Sequence, residues 1–568
     1  MQELTKSQKA RVAIRSFKTG VDAIGLRGYY RPKDLIGQAL ADSLRTLSPE
    51  IYGTMNDPRV VELKGLEYVI DRLPRGIERC TRIILTEEEG FEGTNFEKIV
   101  PPKRRRTSYL VSETEICFVI TRGLSEIYDI LTHLTFLSIE AHKIQERMRD
   151  ESGHLTVAWM ELEKIVGQER ELAGGHLDQA LWNLSIILGR SFQETRDTYE
   201  KLETGRKAVH SNRGLFALVY HLGRRVDEEQ QSPENALIVY LTPSLKNSIG
   251  HHKYGKPWAI AIKEKLIELG LDDRPLHIIS ANLHSVVNLL YGPGALRETG
   301  DSAPLGDVVD MVSRLLEQQT DVSDVGRAAG LHLLPDRSGT HVDCQIIDTG
   351  RLDPDAAHPD LNLTPLLKAA DKPVILVIDY AFGVQAFELM ENLLYPYWEN
   401  EERRLFDIRS IAVMGKAGIL VGNKGDIMLA TAHVIEGTTD NYTVQNDLRP
   451  QDFGSDIPVF VGPMLTVVGT SLQNQDVLRR IQSGWKAVGL EMEGGHYQRA
   501  INAAIIKGNI PADIHTRYAY YASDNPLQSG QTLASGPMGY EGLAPTYRIT
   551  KVLLEKIFAA PAEKPIVG

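Results

Sequence analysis

Two carboxylates, Glu491 and Glu493, flank Met492 in the stretch Val488-Gly489-Leu490-Glu491-Met492-Glu493-Gly494-Gly495, which leads into a helical pattern from His496 to Lys507. Further along, the apolar run Tyr518 to Ala522 stops at Ser523-Asp524-Asn525-Pro526. An acid at a strand end is a common way to present a carboxylate to a ligand, because strand carboxyl ends line the crevice of open α/β sheets. The two acidic clusters are therefore expected to face one pocket. Each has a plainer reading when taken alone. Acids at a helix start are favoured by the helix dipole, and Asp in a Ser-Asp-Asn-Pro turn can cap its own backbone.

These residues need elements to hold them. Lys372 to Asp379 reads as a buried strand ending in an acid, Tyr380 to Gly383 as its turn and Val384 to Leu394 as a helix. Arg409 to Met414 is a second strand, followed by a small-residue turn, Gly415-Lys416-Ala417-Gly418. Gly425-Asp426 precedes a strand from Ile427 to Ala432. Another strand runs from Val459 to Val468, and a helix from Pro545 to Phe558 closes the pattern. Strands alternating with helices indicate a parallel α/β domain over residues 371–568.

Residues 235–370 read as a middle α/β unit, with strands Ala236 to Leu241 and Leu276 to Ser280 and helices Lys256 to Leu269 and Leu283 to Tyr291. Residues 1–231 repeat apolar side chains at helical spacing, most extensively from Glu113 to Arg149, and are expected to form an all-α domain. Gln230 to Glu234 is the expected linker.

The chain has 568 residues, 42% hydrophobic and 24% charged, enough for several cores. Its net charge of −12 argues against a nucleic-acid binder. Lys103-Arg104-Arg105-Arg106, the one basic cluster, reads as a solvated loop. Three distant cysteines, Cys80, Cys117 and Cys344, form neither a disulfide framework nor a metal spacing and suit a reducing cytoplasm. His251, His252, His277 and His284 lack the companions of a metal site and read as surface or loop residues, so no metal and no cofactor is expected. The first residues have no signal-peptide core and no window is apolar enough to span a membrane.

Taken together, Gly415-Lys416-Ala417-Gly418, Gly425-Asp426-Ile427, Glu491-Met492-Glu493 and Ser523-Asp524, in that order, resemble the nucleoside phosphorylase/nucleosidase superfamily. The resemblance covers roughly residues 372–560. Ser523-Asp524-Asn525-Pro526-Leu527 and Asp379-Tyr380-Ala381-Phe382-Gly383 look most like its AMP nucleosidase branch. The resemblance implies a phosphorylase/nucleosidase-like α/β domain that cleaves N-glycosidic bonds. In it, Asp524 is the general acid that protonates the leaving base, a role that needs a raised pKa in a partly dry site. Glu493 takes the ribose hydroxyls, since a carboxylate offers two acceptors to a vicinal diol. Met492 lies along the sugar, Glu491 and Ser523 support the site, and the glycines Gly415 and Gly418 let backbone amides approach an anion or water.

Departures from the family pattern refine this. Val413 and Lys416 stand where phosphorylases carry an Arg and a Ser or Thr for phosphate, and Asn525 to Gly536 contains no Arg. Water is thereby favoured over phosphate as nucleophile, with Lys416 available to an anion such as a 5′-phosphate. Asp379 and Glu388 are candidates for the base that activates water. Val468 to Leu472 offers no aromatic side chain for the nucleobase.

The expectation is a cytoplasmic homo-oligomeric hydrolase of a purine nucleoside or nucleotide, AMP-like, with no nucleic-acid or membrane partner. The alternatives are a non-catalytic nucleotide-binding regulator and a phosphorylase with an atypical phosphate site.

Overall fold

Short runs dense in Val, Ile and Leu favour strands buried on both faces, the signature of parallel sheets under two layers of helices. A computed structural model describes residues 4–559 apart from 89, 92, 104–105, 169–171, 206–213, 251–252, 302 and 529–537. In chain order the strands are β1 (Tyr29–Tyr30), β2 (Arg82–Thr86), β3 (Glu97–Ile99), β4 (Ser108–Ser112), β5 (Glu115–Val119), β6 (Ile238–Leu241), β7 (Leu276–Ser280), β8 (Leu331–Leu334) and β9 (Cys344–Asp348). They continue with β10 (Val374–Ile378), β11 (Tyr397–Glu399), β12 (Glu402–Arg404), β13 (Ile408–Ile419), β14 (Ile427–Ile435), β15 (Asn441–Thr443), β16 (Val459–Thr466), β17 (Gly489–Glu491) and β18 (His515–Asp524). The chain divides into two units, residues 1–251 with 471–477, and residues 252–470 with 478–568.

The second unit is built on a ten-stranded sheet. One face carries helices Gly255–Glu268, Gln385–Leu394 and Gly494–Ile506, and the other carries Ser285–Glu298, Val308–Glu317 and Leu543–Phe558. Strands of residues 235–370 and 371–568 share this sheet, β10 lying between β7 and β9. The two α/β domains expected there are therefore one body. β13 is its axis. Along one edge β18 runs parallel to it from Ser410 to Gly418. The other edge is divided: β7 pairs with it as far as Val413, and β17 pairs antiparallel at Gly418 and Ile419. β7 and β17 thus approach each other head-on, and both carboxyl ends point into the interval Met414 to Ala417. The pairings β13–β17–β16–β14–β18–β13 also close on themselves, making a five-stranded barrel at this end of the sheet.

The first unit departs from the all-α expectation. It holds a six-stranded sheet in the order β1-β6-β2-β5-β4-β3. β6, read from sequence as the opening strand of the middle unit, lies here between β1 and β2. The other five strands were hidden because they are two to five residues long, too short to set a period of two apart from the helical runs around them. Ile116 to Val119 illustrates this: expected within one long helix from Glu113, it forms β5, and the helix spans Gly123–Glu146.

The basic cluster is also not a solvated loop throughout. Lys103 pairs with Asp71 at 2.9 Å, and Arg106 is buried between Glu126 and Asp129. Arg104 and Arg105 lie outside the described residues, as do His251 and His252. His277, expected at the surface or in a loop, is buried on β7 with Nδ1 2.7 Å from the Ser410 hydroxyl. Among the described residues no helix is long and apolar enough to cross a membrane, and no cluster of His, Cys, Asp or Glu could hold a metal ion.

Candidate functional site

The interval on β13 organises the site. Gly415 and Lys416 lie inside it and Gly418 at its margin. The sequence suggested a turn at Gly415 to Gly418, but these residues continue β13, because β18 pairs with the whole stretch and holds it extended. None of the three glycine or lysine positions has a positive φ. At Gly415 the missing side chain makes room for Tyr380, whose ring Cε1 lies 3.3 Å from where a β-carbon would be.

Gly418 joins the two acidic clusters. On one edge it pairs with Asp524, on the other with Leu490. Two strand spacings separate those partners, about 10 Å. From Leu490 the chain runs back along the interval through Glu491, Met492 and Glu493. Glu493 Oε1 accepts the Gly383 N–H at 3.0 Å, which ties the loop after β10 to this segment. Tyr497, one helical turn further on, meets Ser280 at the end of β7 through a 2.8 Å hydroxyl contact. Met492 belongs to an apolar cluster against which Phe382, from the loop after β10, and Leu527, from the loop after β18, also pack. Loops following β10, β17 and β18 therefore converge on one small core.

Asp524 is buried at 1% exposure. Burial pushes its carboxyl above the usual carboxylate range, while the Ser523 hydroxyl and the charge of Lys416 pull the other way. Ser523 reaches both Asp524 Oδ1 and, at 3.2 Å, the Ala417 carbonyl. Asp524 Oδ2 is buried and has no hydrogen-bond partner among the described residues. An acid so placed is shifted toward its protonated form and has one oxygen uncommitted.

Glu491 is the opposite case. Burial alone would raise it, but hydrogen bonds from His433, Thr466 and the Gly494 N–H outweigh burial and hold it below the ordinary Glu value. His433 Nδ1 lies 3.3 Å from Oε1, Thr466 donates at 2.5 Å, and the Glu493 N–H donates to Oε2 at 2.6 Å. Glu491 therefore fixes the backbone that carries Glu493. The two acids of Glu-Met-Glu divide: one is locked into structure, the other stands half-buried at the interval.

A family of unknown function, DUF6909, matches residues 38–301 and 312–559. The chain belongs to that family. No curated protein matches this DUF6909 chain. It is similar to several solved structures. A 5′-methylthioadenosine/S-adenosyl homocysteine nucleosidase from Campylobacter jejuni shares 10% identity over 50% of this chain and 100% of its own, with a TM-score of 0.31. AMP nucleosidase from Bacteroides thetaiotaomicron shares 11% over 53% of this chain and 96% of its own, TM-score 0.27. Purine nucleoside phosphorylase from Toxoplasma gondii shares 15% over 50% and 92%, TM-score 0.28.

Other expected residues of this DUF6909 chain fall near the interval to different degrees. Asp379 follows β10 and accepts its neighbour Tyr380's N–H at 2.8 Å. Glu388 lies on the helix Gln385–Leu394, which packs against the helix Gly255–Glu268; burial pushes its carboxyl up to about 7. His433 and Thr466 were not singled out in the sequence. Their signal is register: Ile435, Thr466 and Glu491 stand side by side on the parallel strands β14, β16 and β17. His433, two residues before Ile435 on its strand, then shares that residue's face. Glu436, just past this row, was missed too. It is buried, its carboxylate accepts the Val468 N–H at 3.1 Å, and burial pushes it up to about 7.

Proposed function

We propose that this chain hydrolyses the N-glycosidic bond of a purine nucleoside or nucleotide, AMP-like, releasing the base and ribose or ribose 5-phosphate. The observation that carries the reading is Asp524: a buried carboxyl held toward its protonated form, with Oδ2 uncommitted, beside the interval into which β7 and β17 end. The ordered motifs Gly425-Asp426, Glu491-Met492-Glu493 and Ser523-Asp524 support it.

As the bond from sugar to base stretches, negative charge builds on the base and positive charge on the sugar. Asp524 donates its proton to a ring nitrogen of the leaving base, a contribution typically worth about 10²–10⁴ in rate. Glu493 accepts from the ribose hydroxyls and places a negative charge near the cationic sugar. Water adds to the anomeric carbon and loses a proton, for which Asp379, in the loop after β10, is the candidate acceptor. Lys416 serves as a point charge for an anionic group such as a 5′-phosphate. Family resemblance leads us to expect a homo-oligomer in the cytoplasm.

Crystals grown with a purine base and ribose 5-phosphate test the placement. The reading expects Asp524 Oδ2 within about 2.6–3.2 Å of a base nitrogen, with Glu493 on the ribose hydroxyls. A base bound out of reach of Asp524 would contradict it.

A further inference from the structure

Tyr380 is an aromatic side chain left 42% exposed beside the interval, although it follows directly on a wholly buried strand. It belongs to the loop after β10, which also supplies Gly383 to Glu493. To reach β13 it crosses the end of β7, the strand that separates β10 from β13. Its ring then lies against Gly415: a β-carbon on that glycine would sit 3.3 Å from the ring's Cε1. A β-carbon at 415 would require the ring to give way by a few tenths of an ångström. The phenol end is turned toward Asn282, just past β7, and toward Tyr521 of β18. The polar end thus faces protein groups, and what the side chain offers a ligand is its ring.

The segment that precedes Glu491 on the barrel, Val467 to Thr470, has no aromatic side chain. A nucleobase in the interval needs an apolar surface for its π-face, since stacking on an aromatic residue is sequence-tolerant and energetically substantial. We infer that Tyr380 is the residue that stacks on the nucleobase, so that the site selects ligands carrying a planar aromatic ring over bare sugar phosphates. This rests on the nucleoside reading given above, and it assigns to the loop after β10 a specificity role distinct from proton transfer at Asp524.

Calorimetric binding of adenine and of ribose 5-phosphate, each measured separately, tests it without requiring turnover. The variants are Tyr380→Phe and Tyr380→Leu. Stacking predicts that Tyr380→Phe binds adenine within about twofold of wild type, whereas Tyr380→Leu binds it at least tenfold more weakly with ribose 5-phosphate affinity unchanged. Equal losses in the Phe and Leu variants would overturn the inference, because the hydroxyl rather than the ring would then be used. Adenine binding indifferent to Tyr380→Leu would overturn it as well. Failure of wild type to bind adenine while binding ribose 5-phosphate would remove the stacking role alone. Failure to bind either would remove the nucleoside reading with it.

Discussion

At Glu491 and Asp524 the same chemical group is set to opposite tasks by its surroundings. Glu491 receives donors from His433, Thr466 and two backbone N–H groups, so folding favours its ionised form. A carboxyl whose folded value lies below its ordinary value contributes stability that is present above that ordinary value, 4.5, and is lost as pH falls through the folded one. Glu491→Gln should therefore cost roughly 1.5–3 kcal/mol at neutral pH and should flatten the acid side of the stability curve. Thermal melts of wild type and variant from neutral pH down into the acid range would show the two curves converging; parallel curves would contradict the assignment. Asp524 has the reverse sign. Its carboxyl is raised, so folding favours the protonated form and its contribution declines as pH rises. The sequence displayed both acids but not this division. Glu-Met-Glu looks symmetrical until register brings Thr466 and the strand of His433 alongside its first member.

The helix Gly494–Ile506 connects residue chemistry to element placement. It starts where β17 stops, with its first residue packed on the barrel interior. A β-carbon at Gly494 would overlap the Tyr520 hydroxyl and His433 Cε1. Both are ends of buried, constrained rings, so the helix start must shift instead. Gly494→Ala is expected to destabilise the protein by about 1–3 kcal/mol and to lower turnover, because Glu493 is displaced along with the helix start. Chemical denaturation together with turnover of the variant checks this; full activity with unchanged stability would show that the close approach is not needed. This glycine pair was visible in the sequence as a signal. Its reason, contact with a histidine and a tyrosine from two other strands, was not. The reading of Gly415 to Gly418 as a turn failed for a related reason. Glycine in a strand and glycine in a turn look alike locally, and only the pairing of β18 along β13 decides between them.

On the scale of the whole molecule, the acidic motifs of the last third were legible because Glu491 and Asp524 stand at strand ends, where periodicity changes. The domain plan was less so. β7 to β9 were assigned to a separate unit, yet they extend the same sheet that carries Asp524, since parallel strands distant in sequence give no local sign of being neighbours. The first unit's sheet was missed because its strands are too short to outweigh the helices around them. The central claim remains that one buried acid in the second unit drives cleavage by water. Release of free base from AMP in phosphate-free buffer, by wild type and by Asp524→Asn, tests it most directly. The account predicts release by wild type that declines as pH rises and Asp524 loses its proton, and a loss of at least about 10² in the variant. Release that requires added phosphate, or that survives Asp524→Asn, would contradict it.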